Sequence, residues 1–510
     1  MKEDISMHTR LPLRTPPQEL VSSTTFKSFI DGAFLESEST TVELKDPATG
    51  EVWGTASRSE GSVNAALDSA VRAFQNSGWA ELGGWQRAAV LHRFADLINA
   101  NIENLAALET LATGKPLAAT KAEIGVGTRW YRYYAAALET GRDTFISLGS
   151  SKDAIVRAEP IGVVAAITPF NGAFSLGSWK IAPALAAGNS VVVKPPILAS
   201  GSTLELARLA IEAGIPSGVL NVVVGDAEEG SELAADERVG LLTFTGSTAV
   251  AQRIGAVVTG RMGRFVCEAG GKSAHIILED ADLDSAVIAA TQGVFSGSGQ
   301  TCVAGSRLMV HDAVFDEFVD RFTRHASKLI VGDPFDAATH LGPIANAKQR
   351  DSIKGFIDRA LAAGARRVLG GAGEPSDPVL QDGYWVAPTI LIDVTPEMEV
   401  CREEVFGPVA AVLKISSLDH ALQLANESRY GLAAGIWTTN QAAAHKAAKV
   451  LQAGTVWVNT YRGMDWRTPF GGYKKSGIGR ENGLEGLHEF TQIKTIVQDF
   501  APAIDPFNLA

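Results

Sequence analysis

The sequence predicts an α/β protein built from two blocks of parallel sheet with a further strand layer. Three observations carry this expectation. From residue 161, short apolar runs alternate with helical stretches: GVVAAIT (162–168), SVVVK (190–194), VLNVVV (219–224) and LLTFT (241–245). That strand–helix rhythm belongs to a parallel sheet covered by helices. A second alternating block runs from about 275 to 460, with HIIL, RLMV, GIW and TVWVN as its strand candidates. The tail EFTQIKTIVQDF reads as one more strand.

Taken in order, the chain begins with MKEDISMHTRLPLRTPPQ, which lacks a continuous apolar core and carries early acidic residues. Neither a signal peptide nor a transit peptide is expected there, so residues 1–25 read as a flexible leader of a cytoplasmic protein. Phe26 to Gly54 alternates apolar runs with turn residues (IDGAF, KDPATGEVWG), as hairpins do. VNAALDSAVRAF and AAVLHRFADLINANIENLAALETL repeat apolar residues at helical spacing, the second stopping at Gly114-Lys115-Pro116. WKIAPALAA, TLELARLAIEAG and SELAADE supply the helices between the first strands.

A length of 510 residues suggests about three domains. The formal charge of −12 argues against a nucleic-acid partner, which would leave a basic footprint. No run of apolar residues is long enough to span a membrane. Three cysteines, Cys267, Cys302 and Cys401, are too few and too scattered for a disulfide framework or a zinc site. Nine histidines show no ligand spacing, so no metal is expected. Glycine stands at 51 residues, an excess that calls for tight turns or close backbone approaches.

Several short motifs fit chemistry. In LLTFTGSTAVAQRIGA a strand runs through Gly246-Ser247 into a helix, where N–H groups and the helix dipole favour an anion. The G-x-G-x-x-G fingerprint is absent, and a plain strand-to-helix turn would look the same. Gly271-Lys272-Ser273 resembles the end of a phosphate loop, but Val266 occupies the place of its first glycine. Glu268 closes the strand candidate RFVCE beside Ala269-Gly270-Gly271, a setting for a general base or a solvated charge. Cys302, in SGSGQTCVAGSR, has small neighbours that would keep a thiol reachable. Cys267 and Cys401 lack that setting and read as inert buried thiols. Asn171, in ITPFNGAF, is either an oxyanion donor or an ordinary turn asparagine.

Together these segments resemble the aldehyde dehydrogenase superfamily, from about Phe26 to Phe500. The resemblance is carried by ITPFN, WKIAPALAAGNSVVVKP, FTGS, EAGGKS, GQTCVAGSR, EEVFGPV, YGLAAGIWT, GTVWVN and PFGGYKKSGIGRE, all in family order. It implies a Rossmann-like cofactor domain (26–141 and 162–272), an α/β catalytic domain (273–483) and a small bridging sheet for oligomerisation (142–161 and 484–510). It implies that Cys302 is the nucleophile, Glu268 the base that activates water, and Asn171 the oxyanion donor beside the Cys302 backbone N–H. Lys194 would bind the adenosine ribose, Gly246 and Ser247 the pyrophosphate, and Glu404 the nicotinamide ribose. Ile167, Thr168, Pro169, Phe170, Gly225 and Phe406 would complete the cofactor contacts. The resemblance further implies a small-molecule aldehyde substrate, a homodimer or homotetramer, and no membrane or nucleic-acid partner.

Two positions leave the family pattern. Ile197 stands where NAD-selective members carry a ribose-gripping glutamate, so use of both NAD and NADP is expected. Gly172 replaces a bulky residue beside Asn171. By alignment Phe174, Ser175, Trp179, Thr301, Met464 and Phe470 should line the substrate tunnel, which favours an apolar aromatic or medium-chain aliphatic aldehyde. A charged semialdehyde would instead want an arginine clamp, which Arg462 or Arg467 could supply. A CoA-acylating relative would lack Glu268, a non-catalytic one would lose Cys302, Glu268 or Asn171, and a cofactor-free cysteine hydrolase would need a histidine base.

Overall fold

The computed structural model describes residues 25–36, 39–141, 143–371, 375, 377–502 and 507. The leader therefore lies outside the described residues, except Thr25, which pairs with Thr55. Both expected hairpins form: Phe29–Ile30 with Ala33–Phe34, and Ser39–Lys45 with Val52–Ser59. The first turns at Asp31-Gly32, both with positive φ, as a two-residue hairpin turn requires.

The eight-stranded first sheet has a parallel centre in the order Arg264–Glu268, Val239–Thr245, Val163–Ile167, Ser190–Lys194, Leu220–Val222. Its central strands are buried on both faces, which is why they read as unbroken Val/Ala/Ile runs. Val164 and Ala166 join one core with Ile181, Leu185 and Leu206, from the helices Ala173–Ala187 and Gly201–Ala213. Val163, Ala165 and Ile167 face the opposite core, packed by Leu67, Leu233 and Val258 from the helices Ser62–Asn76, Ala227–Ala235 and Thr248–Gly260. The chain leaves Val163–Ile167 in one direction and later returns to its other side through Val239–Thr245. A crevice opens at such a switch point, outside the carboxyl ends of the strands.

The second sheet runs Arg366–Leu369, Thr389–Ile392, Val409–Ile415, Arg307–His311, Ala274–Ile277, Ala433–Trp437, Thr455–Val458, parallel except for the first. Only the link Ala269–Ser273 separates the strand ending at Glu268 from the one beginning at Ala274. Thr389–Ile392 and Val409–Ile415 escape the sequence pattern, because one is short and the other, VAAVLKI, carries helix-favouring alanines. The strand Gly477–Ile478 returns to the first sheet beside Glu268, while the preceding strand Tyr473–Lys474 pairs with Tyr430–Gly431 in a separate two-stranded sheet. Thr144–Ser147, Lys152–Pro160 and Thr491–Asp499 form a separate antiparallel sheet. Its outer strands expose Phe145, Ile146, Ile493 and Val497. The long helical run expected from residue 88 breaks at Asn101 into Gly84–Ala100 and Ile102–Thr113, and Gly114 caps the second with positive φ.

Close backbone crossings hold the second sheet to its neighbours. A Cβ on Gly454 would collide with the Gly471 carbonyl oxygen. Gly454→Ala is therefore expected to destabilise the fold by about 1–3 kcal/mol or more, the usual cost of overpacking. Thermal unfolding followed by circular dichroism checks this, and an unchanged midpoint would show that the crossing can widen.

Candidate active site

The crevice at the switch point gathers strand ends. Thr168 and Pro169 follow Val163–Ile167, and the short turn Phe170–Gly172 then opens the helix Ala173–Ala187. The Thr168 and Thr245 hydroxyls are buried with no partner among the described residues. Gly246 and Ser247 link Val239–Thr245 to the helix Thr248–Gly260, with Ser247 as its N-cap and the Gly246 N–H donating to the Glu268 carbonyl at 3.1 Å. Unpartnered hydroxyls around a helix N-terminus suit an anionic cofactor segment.

At one end of this crevice the buried Lys194 amine donates to the carbonyls of Gly225 (3.1 Å) and Pro195 (3.3 Å). Burial lowers its pKa. A Cβ on Gly225 would press on the Glu229 side chain, so the chain there turns closely around that carboxylate. Glu229 is in turn ion-paired to Arg58 at 2.8 Å. Ile197 packs against the apolar core and offers no acceptor. At the other end Glu404 accepts the Gly271 N–H at 2.9 Å, and burial pushes its carboxyl up to about 7. Phe406, at φ +53°, meets Phe170 edge-on with ring centroids 5.7 Å apart.

Cys302 follows the helix Leu283–Phe295 through a tight turn in which Gly297, Ser298 and Gly299 all have positive φ. The loop is tied down on several sides. Ser298 donates to the Gly342 carbonyl at 2.7 Å, and the Gln300 amide oxygen accepts the Ala345 N–H at 3.1 Å. The Asn171 amide donates to the Gln300 carbonyl at 2.9 Å, which brings the expected oxyanion donor to the Cys302 loop. A Cβ on Gly271 would collide with the Cys302 carbonyl, and one on Gly299 with the Gly407 carbonyl.

Tyr461 and His275 support the loop from below, and neither stood out in the sequence. The Tyr461 hydroxyl donates to the Val303 carbonyl at 3.1 Å, and its ring stacks on His275 at 4.3 Å. The His275 Nε2 accepts the Trp437 indole N–H at 2.8 Å, and burial lowers that imidazole to about 3, so it is neutral.

Burial first, and then the Glu404 and Glu268 charges, push the half-buried Cys302 thiol up to about 12, while Arg462 opposes them. Cys267 and Cys401 are buried and free, each pushed up to about 11 by burial. Glu268, the last residue of its strand, is buried with neither carboxyl oxygen partnered among the described residues. Burial, and next the Glu481 charge, raise its pKa well above the carboxylate range, while Lys180 and Arg480 oppose them. Lys180 and Glu481 form a buried ion pair. A lysine inside the apolar helix WKIAPALAA was the one sequence signal for that pair. The Glu268 carboxyl lies toward Gly471 and Gly477, whose added Cβ atoms would stand 2.8 and 3.5 Å from it.

The residues expected around the substrate are spread more widely. Trp179 stacks on Trp130 at 5.5 Å and meets Phe470 edge-on at 5.3 Å. Phe174 is buried against Gly127, and its N–H donates to Glu109 at 3.2 Å. Ser175 and Thr301 are half-buried, and Met464 is exposed. A side chain at Gly172 would press on Ser175. Arg467 is exposed and paired with Asp465 at 2.7 Å, whereas Arg462 is half-buried. Among the described residues no three acidic, histidine or cysteine side chains group as a metal site would need.

The family model for the aldehyde dehydrogenase family matches residues 34–496. The chain belongs to that family. It is 41% identical to aldehyde dehydrogenase 1 of Tanacetum cinerariifolium over 475 residues, 92% of this chain and 94% of that one. An NAD-dependent aldehyde dehydrogenase from Sinorhizobium meliloti superposes with a TM-score of 0.93 at 34% identity, covering 98% of each chain. Betaine aldehyde dehydrogenase from Staphylococcus aureus, solved with NAD+, gives a TM-score of 0.93 at 34% identity, with 97% and 98% covered. This aldehyde dehydrogenase is thus an oxidoreductase.

The glycine at 271 yields a test of the Cys302 loop. Gly271→Ala is expected to displace the Cys302 carbonyl and slow alkylation of the thiol by iodoacetamide about tenfold or more. Mass spectrometry of the labelled cysteine reads it out, and an unchanged rate would mean that the loop tolerates the added carbon.

Proposed function

We propose that this aldehyde dehydrogenase oxidises its aldehyde to the carboxylic acid through a covalent intermediate on Cys302, with water as the final acceptor of the acyl group. The observation that carries the reading is the Asn171 amide, held 2.9 Å from the Gln300 carbonyl on the very loop that presents Cys302. Cys302 gives up its thiol proton to solvent, its thiolate sulfur bonds to the aldehyde carbon as the carbonyl π bond opens, and the resulting oxyanion takes hydrogen bonds from the Asn171 amide and the Cys302 N–H. NAD or NADP, when bound, supplies the hydride acceptor for collapse of that adduct to a thioester. Glu268 then accepts a proton from water as the water attacks the thioester, releasing the acid and the thiol. The presence of Glu268 favours hydrolysis over transfer to CoA, and Cys302, Glu268 and Asn171 together disfavour a non-catalytic role.

Lys194 and Gly225 would hold the adenosine end, Gly246 and Ser247 the pyrophosphate, with Thr168 and Thr245 offering unpartnered hydroxyls nearby. Ile167, Pro169 and Phe170 would wall the crevice, with Glu404 and Phe406 at the nicotinamide end. The first sheet, with residues 26–141 and 162–272, would serve as the cofactor domain, and 273–483 as the catalytic domain. With Ile197 at the ribose there is no carboxylate at that position to repel a 2′-phosphate, which supports use of both cofactors. The bridging segments 142–161 and 484–510, which carry the antiparallel strands Thr144–Ser147, Lys152–Pro160 and Thr491–Asp499, would join copies into a homodimer or homotetramer, supported by the exposed Phe145, Ile493 and Val497. The unpaired cysteines suit a reducing, cytoplasmic setting. The aromatic pair Trp179 and Phe470 suits an aromatic or medium-chain aliphatic body on the substrate.

Cys302→Ser is expected to abolish NAD(P)H formation with any aldehyde; surviving activity would mean another nucleophile. Glu268→Gln is expected to keep a single-turnover burst of NAD(P)H but to lose steady-state turnover. Only the carboxylate form of Glu268 accepts a proton, and burial raises its pKa, so wild-type turnover is expected to rise with pH above the ordinary carboxylate range. A profile falling with pH would count against Glu268 as base. For the cofactor, kcat/KM with NAD and with NADP is expected to differ by less than about a hundredfold; a larger gap would refute dual use.

A further inference from the structure

Arg462 lies against the helix that leads to Cys302 and opposes the upward shift of its thiol; Glu123 acts on it electrostatically, but no ion pair of Arg462 forms among the described residues. Its placement is constrained. It follows Tyr461, whose hydroxyl holds the Val303 carbonyl beside the thiol, and it sits at φ +61°, a strained conformation for an arginine. One guanidinium nitrogen donates to the Gln292 carbonyl at 3.4 Å, on the helix that leads to Cys302. A guanidinium carries five N–H donors, and this long bond uses one. A half-buried cation left unpaired is costly, and the planar fork fits a carboxylate with two parallel hydrogen bonds.

The neighbouring acids are already engaged. Both oxygens of Glu123 take the Lys115 amine, at 2.7 and 2.9 Å. Asp465 is bound by Arg467 at 2.7 Å. Arg129 lies over the Trp466 ring at 4.7 Å, and Trp466 meets Trp130 edge-on, next to the Trp179–Phe470 pair. The segment 459–470 therefore combines an aromatic wall with an arginine whose acidic neighbour, Glu123, is already held by Lys115.

We infer that Arg462 clamps a carboxylate at the far end of the substrate, so that the enzyme takes aldehydes with an apolar body and an anionic terminus. This inference rests on Cys302 being the nucleophile. It reconciles the aromatic wall with a semialdehyde, and of the two arginines weighed from the sequence it assigns the role to Arg462 rather than Arg467.

Matched pairs test it: hexanal against 6-oxohexanoate, and benzaldehyde against 4-carboxybenzaldehyde, each with NAD and NADP. Wild-type kcat/KM is expected to favour the acid of each pair about tenfold or more, chiefly through KM. Arg462→Gln should remove that advantage while Arg467→Gln keeps it. Arg462→Lys, which retains charge without the fork, should keep only part of it, and this variant decides the matter if the glutamine variant fails to fold. Equal kcat/KM within the wild-type pairs overturns the inference alone. So does an equal loss for both members of a pair in Arg462→Gln, which would place the arginine's effect on the thiol. Failure of all four aldehydes to be oxidised would instead overturn the covalent mechanism beneath it.

Discussion

Where the first sheet hands over to the second, the chain has no room for side chains. Glu404 and the Cys302 carbonyl occupy the space that Cβ atoms on Gly270 and Gly271 would need, so the link between the sheets packs directly on both. This contact sets the register of the whole site. On one side of it lie the strand ends that suit a cofactor, and on the other the turn that presents the thiol. The tie from Asn171 to the Gln300 carbonyl closes the same arrangement from the opposite strand end.

The same closeness places several ionisable groups in a poorly solvated space. Glu268, Glu404 and Cys302 are each shifted toward the neutral form, first by burial, and the two carboxyls raise the thiol further. In low dielectric such groups favour their uncharged state until something compensates. Arg462 opposes the shift on the thiol, and Lys180 opposes it on Glu268.

Much of the architecture is legible in the chain because buried parallel strands leave unbroken apolar runs. SVVVK and RFVCE appear as strands with the bounds the sequence suggests. Other features depend on partners distant in sequence. Nothing local marks Tyr461 as the support for Val303, or His275 as its stacking partner, since three strands and a loop must first assemble. Phe174 and Ser175 show a finer limit. Neighbours on a helix point about 100° apart, so alignment places both near the substrate while Phe174 turns into the core against Gly127. The pairing of Lys180 with Glu481 left half a trace: an isolated lysine in an apolar helix announces a buried partner without naming it.

The segment 459–470 leaves the end of Thr455–Val458, carries Tyr461, Arg462 and Trp466, and rejoins the frame where Phe470 pairs with Glu481. Both ends are anchored in backbone, while the middle is a loop without regular structure. Such a cassette can be rewritten without touching the strand ends of the first sheet. Diversification of aldehyde preference in this scaffold can therefore proceed by exchange of one short stretch, with the oxidative chemistry inherited intact. Its one fixed demand is a ring at 461, because Gly293, Gly305 and Gly435 leave a slot of that shape beneath the nucleophile.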